Sequence, residues 1–471
     1  MSGASVFRQI GARLLVLLLL GAGMAVGGAS LEGELRQAMF FAACACLVLL
    51  LFSFASAWWK GPVATGLCFF AGLGLLAVLQ LIPLSSELVG KLPLRSEVHT
   101  DLSLIAEVPE KLPISLEPEA TMAGFLAFLA PLAGFALIAA LRWNRGAGFL
   151  KWVLPLLGIA SACLGLMQVV FSGNPDLYLF ESTRRGVPSG FFANPNHQAC
   201  FLLMCLPFLA VLVSDLRQEW EARDHQNALA IVYAMMGLLI IAGVLGAGSV
   251  AGYILLPVTL LLAAPILGSD TSDPEERKPS VLGLIILPVI LLLAAALVFS
   301  SPRLARIGST SLEDTPSSRI GIAKVSAEVV QDHWLAGTGL GTFSEVYHFY
   351  EDQGAVERVY IAHAHNDYLE WVIETGAAGA ALLSVFLLWF VYHALRLWSG
   401  ARIPGLRLRR GASVACLVPL LHSLVDYPLR TPSIALLAAM CLAVMIVPRP
   451  RIGPASQSKP EATETITIVE I

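Results

Sequence analysis

Apolar stretches of about twenty residues recur along this chain so often that little except a bundle of membrane-crossing helices accommodates them. A hydrocarbon layer about 30 Å thick is crossed by about 20 mostly apolar helical residues, since in lipid the backbone must satisfy its own hydrogen bonds. Stretches bounded by charge, Pro or Gly fall at 12–29, 38–57, 62–84, 121–141, 149–171, 197–214, 227–246, 249–268, 281–300, 376–396, 411–428 and 432–447. The expected fold is therefore all-α, a polytopic helical membrane protein with about 12 transmembrane helices. Only Leu429 to Thr431 separate the last two stretches, which leaves the count open by one or two. Charged residues make up 14% of the 471, against about 25% in soluble domains, so a bilayer is the expected solvent.

The same numbers exclude some functions. Net charge is -4, and no basic stripe of the kind that grips nucleic acid is present. All eight cysteines (Cys44, Cys46, Cys68, Cys163, Cys200, Cys205, Cys416 and Cys441) lie in apolar runs, where a thiol acts as a small hydrophobe. Neither a disulfide framework nor a zinc site is expected. Arg8 and Arg13 precede LLVLLLLGAGMAVGGAS, which also fits a secretory signal; with so many spans following, retention as a first helix is the simpler reading.

Short loops rich in Lys and Arg stay in the cytoplasm. With the N-terminus inside, those loops hold Lys60, then Arg142, Arg145 and Lys151, then Arg217 and Arg223, then Arg277 and Lys278, then Arg396, Arg402, Arg407, Arg409 and Arg410. The short outside connections hold little more than Arg36 and Arg430. Three longer segments then face outward, at about 85–120, 172–196 and 301–375, and chemistry is to be sought there. Residues 1–171 form an N-terminal membrane region with the acidic, Pro-punctuated loop 85–120, in which a short amphipathic helix is expected. Residues 172–447 form a second region holding the large loop 301–375 with short helices. The tail 448–471, rich in Pro, Ser, Thr and Glu, is expected to be disordered.

Loop 301–375 carries the densest polar pattern. Ile320, Ile322, Val325, Val329, Val330 and Trp334 approximate one helical face, which puts Arg319 in the first turn, where a cation opposes the helix dipole. An anionic partner would account for it; a solvated surface arginine is the bland alternative. The Gly337, Gly339, Gly341 run reads more as a tight turn than as a phosphate cradle, since no dinucleotide context surrounds it. His363, His365 and Asp367 would share one face only on a strand, and this segment runs into a helix, so no metal site is expected. Asn194 reads as a turn or helix cap, with Asn196 a weaker site candidate. His422 and Asp426 stand four apart in a span, where ionisable groups are functional by default. Glu370 and Glu374, also four apart, read as a solvated interfacial face more than as a paired-carboxylate device.

The run HNDYLEWVIETGAAG, from His365 to Gly379, resembles the signature of the O-antigen ligase family, which includes O-antigen ligases, O-antigen and exopolysaccharide polymerases and some protein-glycosylating transferases. Arg319 opening the preceding helix, the GTGLGTF turn, the earlier RRGVPSGFFANPNHQA and the later HSLVDYPLR agree with that pattern. The resemblance spans about residues 180–430. It implies a membrane glycosyltransferase that takes a glycan from an undecaprenyl-diphosphate carrier and joins it to an acceptor hydroxyl of a glycan or lipid A-core, at the periplasmic face of a bacterial inner membrane. It implies no nucleotide sugar, no metal and no other cofactor.

Elementary chemistry permits the same reading. Arginine holds phosphate oxygens bidentately without losing its charge, which suits Arg184, Arg185 and Arg319 to the diphosphate. Neutral histidine accepts a hydroxyl proton near neutral pH, which suits His365 to catalysis, with Asn366, Asn196, His422 and Asp426 as possible support. Two alternatives remain beside it. One is a transporter or flippase for a lipid-linked or anionic solute, though no internal repeat is evident and the polar residues gather outside the membrane. The other is a protein O-oligosaccharyltransferase.

Overall fold

A computed structural model describes residues 3–29, 43, 44, 46, 59–105, 109–143, 147–171, 174–180, 186–218, 226–268, 318–352, 354, 360–399 and 405–446. Among them, eight helices are long and apolar enough to cross a membrane, so the chain is an all-α, multi-pass membrane protein. The expected span 281–300 and nearly all of 38–57 lie outside the described residues. The only strands among those residues are two-residue pieces, β1 (Leu84–Ser85) and β2 (Lys111–Leu112), paired antiparallel.

Membrane helices follow the expected stretches with physical adjustments at their ends. They are α1 (Gly3–Val26), α2 (Pro62–Leu81), then, after the short α3 (Ser86–Val89) and α4 (Arg95–Ile105), α5 (Pro118–Ala127) and α6 (Leu129–Trp143). These last two meet at Phe128 inside one expected span. There follow α7 (Leu150–Val170), α8 (Pro195–Gln218), α9 (Gln226–Gly246) and α10 (Val250–Ala263). Helix α8 is buried on every side, with Phe201, Leu202, Leu203, Met204 and Cys205 all inaccessible. A helix apolar all round belongs at the centre of a bundle, and α8 packs against α7, α9 and α10.

Beyond the membrane helices, α11 (Arg319–His333) and α12 (Phe343–Tyr350) form a polar layer with its own small core of Ile322, Val329, Phe343, Val346, Tyr347, Ile361, Ala364 and Ile373. The buried face of α11 differs from the expected one. Ile320 and Trp334 are exposed, while Ser326 and His333 turn inward. For His333 the reason is Arg95, whose guanidinium donates to the Ile114 and Gly337 carbonyls and, at 3.2 Å, to His333 Nδ1. Arginine has only donors, so His333 is neutral at Nδ1. Its Nε2–H then donates to Tyr350 Oη at 3.1 Å, and Tyr350 donates to Asp332 at 2.8 Å. Burial first, and then the Arg95 cation, push His333 down to about 4. The acidic loop 85–120 is thus clamped to α11 through one arginine, and the helix expected in it is α4.

The decisive irregularity lies in α13 (Asp367–Trp398), followed by α14 (Leu406–His422) and α15 (Pro432–Ile446). Gly376 interrupts α13 with φ 62° and ψ -156°, outside any helical geometry, a conformation that requires glycine. The carbonyls freed by the break are capped by the glycine turn. Thr338 N donates to Ile373 O at 3.0 Å, Gly339 N to Glu374 O at 3.0 Å, and the Gln80 amide to Glu374 O at 2.7 Å. Gly337 N is bonded to His333 O and Leu340 N to Gln80 Oε1. These N–H groups are therefore committed to the protein's own backbone and to Gln80, and none is left to cradle phosphate. A Cβ at Gly337 would run into the Glu374 carbonyl, so both glycines are fixed by this junction.

Candidate active site

The break delivers the nine residues before Gly376 as a short helix at the polar end of the bundle. Asn366 is its N-cap, its Oδ1 accepting from Tyr368 N at 3.0 Å and Leu369 N at 3.1 Å. Such a cap contributes about 1 kcal/mol, which accounts for Asn366 without a chemical role. His365, just before the cap, has φ 51°. A left-handed conformation is uncommon outside glycine, and strain of this kind gathers at sites. Asp367 N holds the bend by donating to the carbonyls of Ser423 and Asp426 at 3.0 and 3.2 Å.

That bend turns His365 toward Asp426, a carboxylate with 0% side-chain exposure. Donors from four segments converge on it. His365 Nδ1 lies 3.2 Å from Oδ1, Tyr427 N donates to Oδ1 at 3.0 Å, Asn196 Nδ2 donates to Oδ2 at 2.6 Å, and Arg319 Nη2 stands 3.5 Å from Oδ2. An ionised carboxylate only accepts, so in the neutral His365 ring the proton sits on Nδ1 and the lone pair on Nε2. His365 is 32% exposed and Arg319 52%: both reach outward from a buried anion. A base held by an orienting carboxylate, with a cation beside it, has the parts needed for hydroxyl attack with release of an anionic leaving group.

Four of the expected residues, His365, Arg319, Asn196 and Asp426, thus meet around one carboxylate. His422 lies behind Asp426, fully buried, and neither ring nitrogen has a hydrogen-bond partner among the described residues. Asn194 behaves as a cap, its side chain accepting from Asn196 N at 2.9 Å. Arg184 and Arg185 lie outside the described residues. His363, His365 and Asp367 point to three separate partners, respectively Glu370, Asp426 and Ser423. Among the described residues no group of His, Cys, Asp or Glu is arranged to hold a metal.

The reading of Glu370 and Glu374 as solvated is overturned: both are buried, as is Asp367. Arg430, from the turn before α15, sits 3.4 Å from Glu370, 2.8 Å from Glu374 and 3.9 Å from Asp367. Glu370 also takes His363 Nδ1 at 2.9 Å and Ala364 N at 2.9 Å. The sequence shows the stripe but not what covers it. Asp367, Glu370 and Glu374, at i, i+3 and i+7, form an acidic stripe on an otherwise apolar helix, and Arg430 was one of the few external arginines. Tyr427, also missed, stacks on His363 with ring centroids 4.1 Å apart and meets His365 and His197 edge-on.

Beside this network an apolar cavity of about 320 Å³ opens between α2, α5, α13, α14 and α15. Phe69, Phe128, Trp371 and Phe386 line it, and Asp367 and Arg430 stand in its wall.

A comparison with curated proteins finds no match. Residues 235–384 match the family model described as O-antigen ligase, a stretch of about a third of the chain that contains Arg319, His365 and both glycines of the broken helix. That match places an O-antigen ligase domain among the membrane helices, and it supports an O-antigen ligase family assignment and a ligase or polymerase family role in polysaccharide assembly.

Proposed function

We propose that the protein is an inner-membrane glycosyltransferase that moves a glycan from an undecaprenyl-diphosphate carrier to an acceptor hydroxyl at the periplasmic face. The observation that carries this reading is the convergence of His365, Asp426 and Arg319 within and beside the matched family region. The acceptor hydroxyl oxygen attacks the anomeric carbon of the donor, and the bond from that carbon to the diphosphate oxygen breaks. The hydroxyl proton passes to His365 Nε2, and Asp426 steadies the imidazolium that results. Charge developing on the departing lipid diphosphate is met by Arg319, whose guanidinium has five donors and is half-exposed. Arg184 and Arg185 complete the diphosphate contacts in this reading. Asn196 fixes the second oxygen of Asp426, and the apolar cavity beside Arg430 suits the first isoprene units of the carrier. The acceptor is a polysaccharide or a lipid A-core glycan.

The test is transfer from purified lipid-linked glycan to acceptor by the detergent-solubilised protein, with and without EDTA. Transfer requires no sealed compartment, whereas transport does. Activity in detergent that survives chelation is expected. Solute movement in vesicles without any transfer product would overturn the reading, and loss on chelation with rescue by one divalent ion would overturn its metal-independent chemistry.

A further inference from the structure

Two imidazoles at this site are built alike, and the reaction described above uses only one. His365 Nδ1 faces Asp426 at 3.2 Å, and His363 Nδ1 faces Glu370 at 2.9 Å. Both carboxylates are buried, and both rings pack on Tyr427, with centroids at 5.1 and 4.1 Å. Glu370 is held ready for this by Arg430 at 3.4 Å and by Ala364 N. A carboxylate that accepts from Nδ1–H leaves the neutral ring with a lone pair on Nε2. His363 is 15% exposed, and its Nε2 has no hydrogen-bond partner among the described residues. A histidine serving only to pack would not need a buried glutamate, itself anchored by an arginine and a backbone amide, to fix its tautomer.

We infer that His363 is an acceptor-binding residue: its Nε2 accepts a hydrogen bond from the sugar hydroxyl adjacent to the one that attacks, and so decides which hydroxyl is presented to His365. The ligand class is a pyranose with two neighbouring hydroxyls, one for each Nε2, since both rings pack on the one tyrosine, His363 stacked and His365 edge-on. The inference rests on the glycosyl-transfer reading. It adds regiochemistry to it, since one imidazole alone does not distinguish neighbouring hydroxyls. Glu370 and Tyr427 are positioning residues acting through His363.

The experiment uses the full chain in detergent, a purified lipid-linked glycan as donor, and the acceptor glycan in three forms: parent, and two analogues each lacking one hydroxyl flanking the attacked position. For the wild type, one deoxy analogue should raise the acceptor KM about tenfold, the size of one hydrogen bond, with donor KM and kcat within about threefold. His363→Leu should show that raised KM already with the parent acceptor, should no longer distinguish parent from analogue, and should yield mixed linkages. His363→Gln, which keeps an acceptor atom, should recover part of the discrimination. Such non-additivity identifies a direct contact. A wild type indifferent to both analogues would overturn the inference even if the variants fail to fold. A His363→Leu protein with lowered kcat, unchanged acceptor KM and a single linkage would overturn it as well. Absence of any transfer by the wild type would instead refute the glycosyl-transfer reading itself.

Discussion

Two clusters of charge sit side by side at the polar end of the bundle and are built on opposite plans. Around Asp426 one buried anion is surrounded by groups that lean out to solvent, Arg319 and His365. Around Arg430 one cation is enclosed by three buried carboxylates, Asp367, Glu370 and Glu374. An open cluster leaves donors and lone pairs free for a ligand. A closed one pairs its charges internally, and its worth is geometric, because a buried ion pair gains little net stability yet costs much when one partner is removed. The closed cluster fixes the half-helix from Asp367 to Thr375, and the open cluster hangs from that half-helix. Rigidity in one is the condition for accurate placement in the other.

The sharpest way to break this contrast is to empty the closed cluster. Arg430→Met removes the cation shared by three buried carboxylates, and a loss of about 3–5 kcal/mol is expected, read as little or no folded protein after extraction or a much lowered melting temperature. A variant that melts normally would mean the cluster does not anchor the half-helix. His365→Ala should do the reverse, keeping the fold while lowering turnover about 10²–10⁴-fold, the range for a positioned acid or base. Near-normal turnover per folded molecule would remove the proposed catalytic assignment.

Arg319 refines the comparison further. Arg319→Ala removes a charge-assisted contact and should weaken donor use about 10- to 100-fold. Arg319→Lys keeps the charge without the planar fork and should fall between that variant and the wild type. Equal behaviour of Lys and wild type in a donor titration would show that only charge matters there.

The smallest effect is expected at the Arg95 clamp. His333 is held at about 4 against an ordinary 6.5, so its contribution is fully present above pH 6.5. It declines as pH falls toward 4, because the unfolded chain takes up a proton that the folded one refuses. Melting temperature measured across pH 7 to 4 should fall more steeply for the wild type than for His333→Gln, which cannot take up the proton. Parallel curves would show that the clamp does not titrate.

Much of this was legible beforehand. Nine of the twelve expected stretches begin or end within a few residues of a described helix, because length and apolarity are properties of a segment by itself; 281–300 and nearly all of 38–57 lie outside the described residues. His365 and Arg319 were singled out by their motif, and the structure brings both to Asp426. The burial of Glu370 and Glu374 was not, since a helical stripe of carboxylates looks alike whether water or Arg430 covers it. Nor was the inward turn of His333, whose partner Arg95 comes from a separate loop.

The sequence by itself determined that the chain is helical, multi-pass and polar at one end, and that a glycine lies where α13 must break. These follow from local physics: apolar length, backbone satisfaction in lipid, and the conformations that only glycine adopts easily. Tertiary structure alone decided that Asp426 is the anion shared by Arg319, His365 and Asn196, that Arg430 is enclosed rather than free, and that His363 has a glutamate of its own. Each of these depends on groups brought together from distant segments, and the energy of a charge is set by what surrounds it in space rather than by its neighbours along the chain.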